Sequence, residues 1–503
     1  MSGSVFVDVS VFSLKWQRKE FCVTYYSLKS DCYVRAYGEI GYISRPLVGI
    51  DKITDSIGAV FLSKPQYTPI YIDDMVKSLT GNFDGVEETE LKEDAVSFYN
   101  DLYEDGFLNV GRTPQDVADS CFVYSTLKGK SAYSDGYVTD VSSEKFLSDY
   151  SKKRPFLFTF HIELTSKCNE RCVHCYIPHE CKNTDIEHDL MIKALNQCKE
   201  MGVMNIVFSG GEPMTHPNFC EFLRYAKDLD FNVTVLSNLT LLNDEILSAL
   251  KYRHTSCVNV SLYSMNSEIH DSITTVNGSF IRTKSNILRL IDNNVAVQIN
   301  CPVMKQNQST FHDVILWGHE HKCAVILDYL IMARSDRSVD NLEHRLTTEE
   351  IESVLERIAQ NDVTIQSNIK SGIYQSKLSS GSIDPDERVC GVALSTMCMV
   401  ANGNVYPCAG WQKYICGNIN DSSLQEIWTS SPAINFLRQL RLRDFKKCLG
   451  CEDKKYCLMC ISRNSNESKT GSVFDVPQIT CEAAHIQHQV FKVASKKFSH
   501  LVP

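Results

Sequence analysis

The stretch "SKCNERCVHCY" at 166–176 decides how the rest of the chain is read. It brings Cys168, Cys172 and Cys175 into eight residues as C-x3-C-x2-C, with no fourth cysteine at matching spacing. Iron–sulfur cubanes ordinarily take four thiolates, one per iron, so three leave one iron open to an outside ligand. An open iron can bind and reduce a small molecule, whereas a closed one only passes electrons. Zinc prefers paired C-x2-C units or Cys/His sets. His174 lies inside the loop, but its ring would need the space used by Cys172 and Cys175.

Outward from this loop the chain alternates strand and helix. "FLFTFHIEL" (156–164) is a strand leading into the cysteines. "DLMIKALNQCKEMG" (189–202) puts Met191, Ala194, Leu195 and Cys198 on one helical face. "NIVFSGGEP" (205–213) is a buried strand broken by two glycines, and "FCEFLRYAKDLD" (219–230) is a helix. "NVTVLSN", "VNVSLYS" and "VAVQINCPV" are further strands separated by helical patterns. Repeated βα units over 156–335 imply a parallel sheet or barrel with ligands at the C-terminal strand ends. The cysteine loop, "GGEP", Asn238, Ser261 and Asn300 all fall at such ends.

At 503 residues, two to four domains are expected. The net charge of −10, with no long basic run, argues against nucleic acid or an anionic membrane as partner. No apolar run is long enough to cross a bilayer. The start "MSGSVFVDVSVFSLKW" alternates like a strand rather than a signal peptide, so a cytoplasmic location is expected. Against that background 21 cysteines point to metal or redox chemistry rather than disulfides. Cys198, Cys220, Cys257, Cys301 and Cys323 sit singly among apolar residues and read as structural thiols.

Residues 1–110 open with alternating strands ("VFVDVSVFSLKW", "FCVTYYSL", "CYVRAY"). Two helix-like segments follow, one closed by Gly81 and one presenting Ala95, Phe98, Tyr99 and Leu102. This is the pattern of a small winged-helix-like α+β module. Residues 111–155 turn polar, as in a linker. From Cys390 the pattern is C-x12-G-x4-C through Gly403 to Cys408. Cys448, Cys451, Cys457 and Cys460 follow as C-x2-C-x5-C-x2-C, and then Cys481. A zinc ribbon needs more than five residues between its two pairs.

The triplet with "SGGEP" some 35 residues later resembles the radical S-adenosylmethionine (SAM) enzymes. The C-terminal cysteines resemble the SPASM domain of peptide-modifying members of that group. The resemblance implies an α/β fold: a partial (β/α)6 TIM-like barrel at 156–384, including a bridging segment, and a SPASM domain at 385–490. Residues 491–503 would be a tail. It implies three 4Fe–4S clusters and SAM as cofactors. Cys168, Cys172 and Cys175 would hold the SAM-binding cluster. Gly210, Gly211, Glu212, Ser237, Asn238, Ser261 and Asn300 would contact SAM, with the glycines admitting its methionine end and Glu212 accepting from its ammonium. Tyr263 stands where many relatives carry an acidic residue. Cys448, Cys451, Cys457 and Cys481 would hold an outer auxiliary cluster. Cys390, Cys408 and Cys460 would hold an inner one, completed by Cys398, with Cys416 competing, or left open.

The activity implied is peptide maturation through a 5′-deoxyadenosyl radical, with thioether cross-links from cysteine as the expected product. Carbon–carbon cross-linking, epimerisation and formylglycine formation are the rival outcomes, and a non-catalytic electron-transfer scaffold the rival class. The partners implied are a ribosomally made precursor peptide, whose leader the N-terminal module would bind as an added strand, and reduced flavodoxin or ferredoxin. An anaerobic or oxygen-limited cell fits that chemistry. No residue stands out as general base.

Overall fold

The computed structural model describes residues 24–117, 143–253, 256–361 and 384–499. The expected first strand at 5–16 lies outside them. Six parallel strands form the centre: β1 (Thr159–Thr165), β2 (Asn205–Gly210), β3 (Asn232–Ser237), β4 (Cys257–Ser261), β5 (Ala296–Pro302) and β6 (Ala324–Asp328). They pair in sequence order. Helices such as His188–Glu200, Phe219–Asp228 and Ser279–Asp292 link them. The strands are apolar because both faces are covered: Phe160, Ile162, Phe208, Val235, Val260 and Ile299 are fully buried. This is the (β/α)6 arrangement expected from the alternation.

The sheet continues beyond β1. Strand β7 (Thr396–Met399) pairs parallel with β1, setting Cys398 beside His161. Strands β8 (Asn404–Tyr406) and β9 (Gly417–Asn418) follow antiparallel. The cysteine-rich region is thus hydrogen-bonded to the strand that carries the C-x3-C-x2-C loop. The stretch from 491, expected as a tail, continues the helix Gln478–Ser499, in which Phe491 is buried.

Among the described residues, 24–29 with 60–117 form one compact unit, and 30–59 with 143–499 the other. The first holds a three-stranded antiparallel sheet, with Tyr25–Leu28 between Ile70–Tyr71 and Leu108–Gly111. Its helices are Ile72–Thr80 and Glu88–Glu104, the latter burying Leu91, Ala95, Tyr99 and Leu102. In the second unit the antiparallel strands Tyr33–Tyr37, Ile40–Arg45 and Ile50–Thr54 pack with Phe156 and Phe158 at the start of the barrel. Arg35 anchors them: Nε donates to the Val203 carbonyl at 3.0 Å and Nη1 pairs with Asp230 at 3.0 Å. Both acceptors precede barrel strands.

Candidate radical SAM and iron–sulfur sites

The cysteine loop leaves β1 through a register shift between Glu163 and Thr165. It is tied down along its length. Arg171 and Val173 N–H groups donate to the Thr274 and Ile273 carbonyls at 3.1 and 3.0 Å. Arg334 donates to the Cys175 carbonyl at 3.0 Å while pairing with Asp340. Glu170, 2% exposed, accepts from the Ser279 hydroxyl and from Cys172 Sγ, the latter at 3.7 Å. Tyr263 Oη donates to Cys172 Sγ at 3.8 Å, and its ring meets His174 edge-on. Tyr263 therefore abuts the cysteine loop.

Gly210 and Gly211 pack against the cysteine loop. A Cβ on Gly210 would lie 2.0 Å from the Thr165 carbonyl oxygen, and one on Gly211 would lie 2.2 Å from that of Lys167. Gly210 also has φ +144°, which side chains rarely adopt. The missing side chains admit the backbone of the cysteine loop itself, and Gly211 N–H donates to the Thr165 carbonyl at 2.7 Å. The two motifs are one packed unit.

Glu212 is fully buried, and both carboxylate oxygens are engaged. Oε1 accepts from Ser237 Oγ at 2.8 Å and Met214 N–H at 3.1 Å, and Oε2 accepts from Asn238 N–H at 2.7 Å. Burial pushes its carboxyl up to about 7, and these donors pull the other way. Asn238 reaches the cysteine loop, donating to Asn169 Oδ1 at 2.9 Å. Ser261 and Asn300 face each other as register partners of β4 and β5. The expected SAM contacts therefore gather along the C-terminal ends of β2 to β5, with Glu212 and Asn238 linking the ends of β2 and β3 to each other and to the loop.

The C-terminal thiols fall into two groups. Cys390, Cys408 and Cys460 are close enough to influence one another electrostatically, and Cys398 feels Cys408. Among the described residues it is burial, not another thiol, that raises Cys416, and its Sγ donates to the Tyr414 carbonyl at 3.9 Å. Cys448, Cys451, Cys457 and Cys481 form the second group by the same criterion. Among the described residues no three such groups converge on one metal ion, and cubane ligands need not, since each thiolate takes a different iron. Burial pushes Cys168 up to about 11, Cys408 to about 12 and Cys457 to about 11. Thiolates are costly there without cations, and it is the grouping of the thiols, three in the loop and two sets in the C-terminal region, that fits iron–sulfur clusters.

Two features went unread in the sequence. Glu163, buried on β1, accepts from Tyr176 Oη and Gln412 Nε2, each at 2.9 Å. Burial raises its carboxyl to about 7. Glu170 is the other. Acidic residues in a strand and a cysteine loop carry no local sign of burial.

Residues 162–318 match the Radical SAM superfamily, and residues 390–452 match SPASM, an iron–sulfur cluster-binding domain. The chain carries a radical SAM domain and a SPASM domain. It is a radical SAM superfamily enzyme, and its domains imply SAM and iron–sulfur clusters. When bound, SAM and its cluster supply one-electron hydrogen abstraction; the protein positions the reactants and excludes water. The chain is 29% identical over 315 residues to the antilisterial bacteriocin subtilosin biosynthesis protein AlbA of Bacillus subtilis (strain 168), covering 61% of this chain and 68% of that one. It is 27% identical to an AdoMet-dependent heme synthase of Methanosarcina barkeri (strain Fusaro / DSM 804), over 60% of this chain and 90% of that one. Its fold resembles Streptococcus suis SuiB bound to precursor peptide SuiA, with TM-score 0.59 and 16% identity over 90% of this chain and 99% of that one. No helix among the described residues is long and apolar enough to cross a membrane.

Proposed function

We propose that this enzyme is a peptide maturase that forms intramolecular thioether cross-links from cysteine in a ribosomally made precursor. The observation that carries the reading is the division of the C-terminal thiols into two groups, one of them beside β1 through Cys398. In this reading Cys390, Cys398, Cys408 and Cys460 hold an inner auxiliary cluster, and Cys448, Cys451, Cys457 and Cys481 an outer one. Cys168, Cys172 and Cys175 hold the cluster that binds SAM. Gly210, Gly211, Glu212, Ser237, Asn238, Ser261 and Asn300 build the rim around SAM, the first three mainly by shaping it. Auxiliary clusters suit net oxidation, because a substrate radical must pass on one electron as the carbon–sulfur bond closes. The relative named for bacteriocin biosynthesis supports a peptide substrate. The antiparallel sheet of the first unit offers edge strands to which a leader could add. Reduced flavodoxin or ferredoxin would supply electrons.

Anaerobic reconstitution with SAM, reductant and the precursor should release 5′-deoxyadenosine and lower the peptide mass by two hydrogens per bridge, with the bridged thiols no longer alkylable. Unchanged mass with inverted stereochemistry would establish epimerisation instead. Mass loss with every thiol still free would establish a carbon–carbon link if no aldehyde is present, and formylglycine formation if a carbonyl reagent labels one. No 5′-deoxyadenosine under any condition would leave only an electron-transfer scaffold.

A further inference from the structure

Two cations that flank the cysteine loop are neutralised, and a third is not. Lys167 pairs with Asp185, and Arg334 pairs with Asp340 at 2.8 Å. Lys182 is half-buried and has no carboxylate partner among the described residues. The backbone fixes it beside the loop. Asn183 and Thr184 N–H groups both donate to Ser166 Oγ at 2.9 Å, and Ser166 N–H donates to the Thr184 carbonyl at 2.8 Å. Lys182 Nζ then reaches the Glu170 carbonyl at 3.5 Å, while Glu170 N–H donates to Cys168 Sγ at 3.4 Å. One residue therefore spans the gap between ammonium and sulfur. The buried Glu170 and Glu212 also act on Cys168, and Lys182 opposes them with the largest charge effect of the three. Arg171 is exposed, where water and salt screen it.

We propose that Lys182, a flanking cation whose charge no carboxylate takes up, makes the cluster held by Cys168, Cys172 and Cys175 easier to reduce. The inference rests on the assignment of those thiols to a cluster. Reduction adds one negative charge and makes or breaks no bond; the one-electron donor is oxidised. Beside the buried Glu170 and Glu212 that added charge is costly, because little water screens the repulsion. A fixed ammonium lowers the cost, and the Glu170 N–H on Cys168 Sγ acts in the same direction. A neutral residue at 182 leaves the two carboxylates unopposed, so a more strongly reducing donor is needed to charge the cluster.

The test uses the full, cluster-loaded enzyme without peptide, so its outcome is separate from that of the thioether reading. A redox titration read by electron paramagnetic resonance, run before SAM is added, follows the cluster whose spectrum SAM changes. Lys182→Gln should lower the reduced-to-oxidised ratio of that cluster about tenfold at a given potential, a shift of about 59 mV for one electron. The other clusters should not move. Lys182→Arg should keep the parent value, since it retains the charge on a different shape. If the Gln variant holds less iron than the parent, Lys182→Met replaces it, with the same shift expected. An unmoved potential in an iron-replete neutral variant overturns the proposal. So does an equal shift in every cluster, or one that Lys182→Arg shares, since either reports distortion rather than charge. Iron loss from both neutral variants would assign Lys182 a structural role instead. Weaker SAM binding with an unmoved potential would assign it to the SAM carboxylate. A parent with no SAM-responsive cluster would overturn the cluster assignment itself, and this inference with it.

Discussion

Gln412 Nε2 donates to Glu163 Oε2 at 2.9 Å, joining the SPASM domain to the first barrel strand. The same carboxylate holds Tyr176, the residue after Cys175, through its other oxygen. One buried side chain thus links the SAM-cluster loop to the domain of the auxiliary thiols. Glu163→Ala should leave two half-buried donors unpaired and cost about 1–3 kcal/mol, read as a lowered melting temperature of the cluster-free protein. Glu163→Gln keeps one acceptor and should cost less. Equal melting of parent and Ala variant would deny the link.

Gly211→Ala should be worse tolerated than a typical surface change, because its Cβ meets the Lys167 backbone rather than a movable side chain. Gly210→Ala adds an unfavourable φ. Each should cost more than about 2 kcal/mol and reduce iron retained by the SAM-cluster loop. Iron analysis and thermal melting check both.

Cys398 and Cys416 make opposite predictions. Cys398→Ala should lower iron by up to about four atoms per chain, because its thiol neighbours Cys408. Cys416→Ala should leave iron content unchanged. Equal losses, or loss only from Cys416→Ala, would reverse the ligand assignment.

Lys227 gives a pH signature outside the cysteine clusters. Its Nζ donates to the carbonyls of Ala249, Leu250 and Tyr252 at 3.1, 2.6 and 3.2 Å, and burial pushes the ammonium down to about 7. The unfolded chain holds this proton up to about pH 10.4. Between those values unfolding takes up a proton, so this group makes stability rise with pH by up to about 1.4 kcal/mol per unit. Below pH 7 both states are protonated and the slope disappears. Urea unfolding at several pH values should show the slope in the parent and its absence in Lys227→Met.

Much of the site was legible because its motifs are local and sit at strand ends. The C-x3-C-x2-C loop, "GGEP" and the C-terminal cysteine spacings each occupy one short segment. The pairing of β7 with β1 was not legible: "TMCM" has no alternation, and its partner lies more than two hundred residues earlier. Arg35 likewise looks like an ordinary strand cation until Val203 and Asp230 meet it. Nor does "GGEP" alone show that the backbone of Thr165 and Lys167 lies against its glycines, since only the fold brings it there. The isolated cysteines divided too: Cys198, Cys301 and Cys323 are buried, while Cys220 and Cys257 are only partly so.

The central claim is that Cys168, Cys172 and Cys175 hold a cluster with one iron open to SAM. Electron paramagnetic resonance of the dithionite-reduced enzyme, with and without SAM, tests it most directly. The parent should show a SAM-induced change in one cluster's spectrum. Cys168→Ala/Cys172→Ala/Cys175→Ala should keep about eight iron atoms per chain and show none. A SAM-induced change that survives in the triple variant would contradict the account.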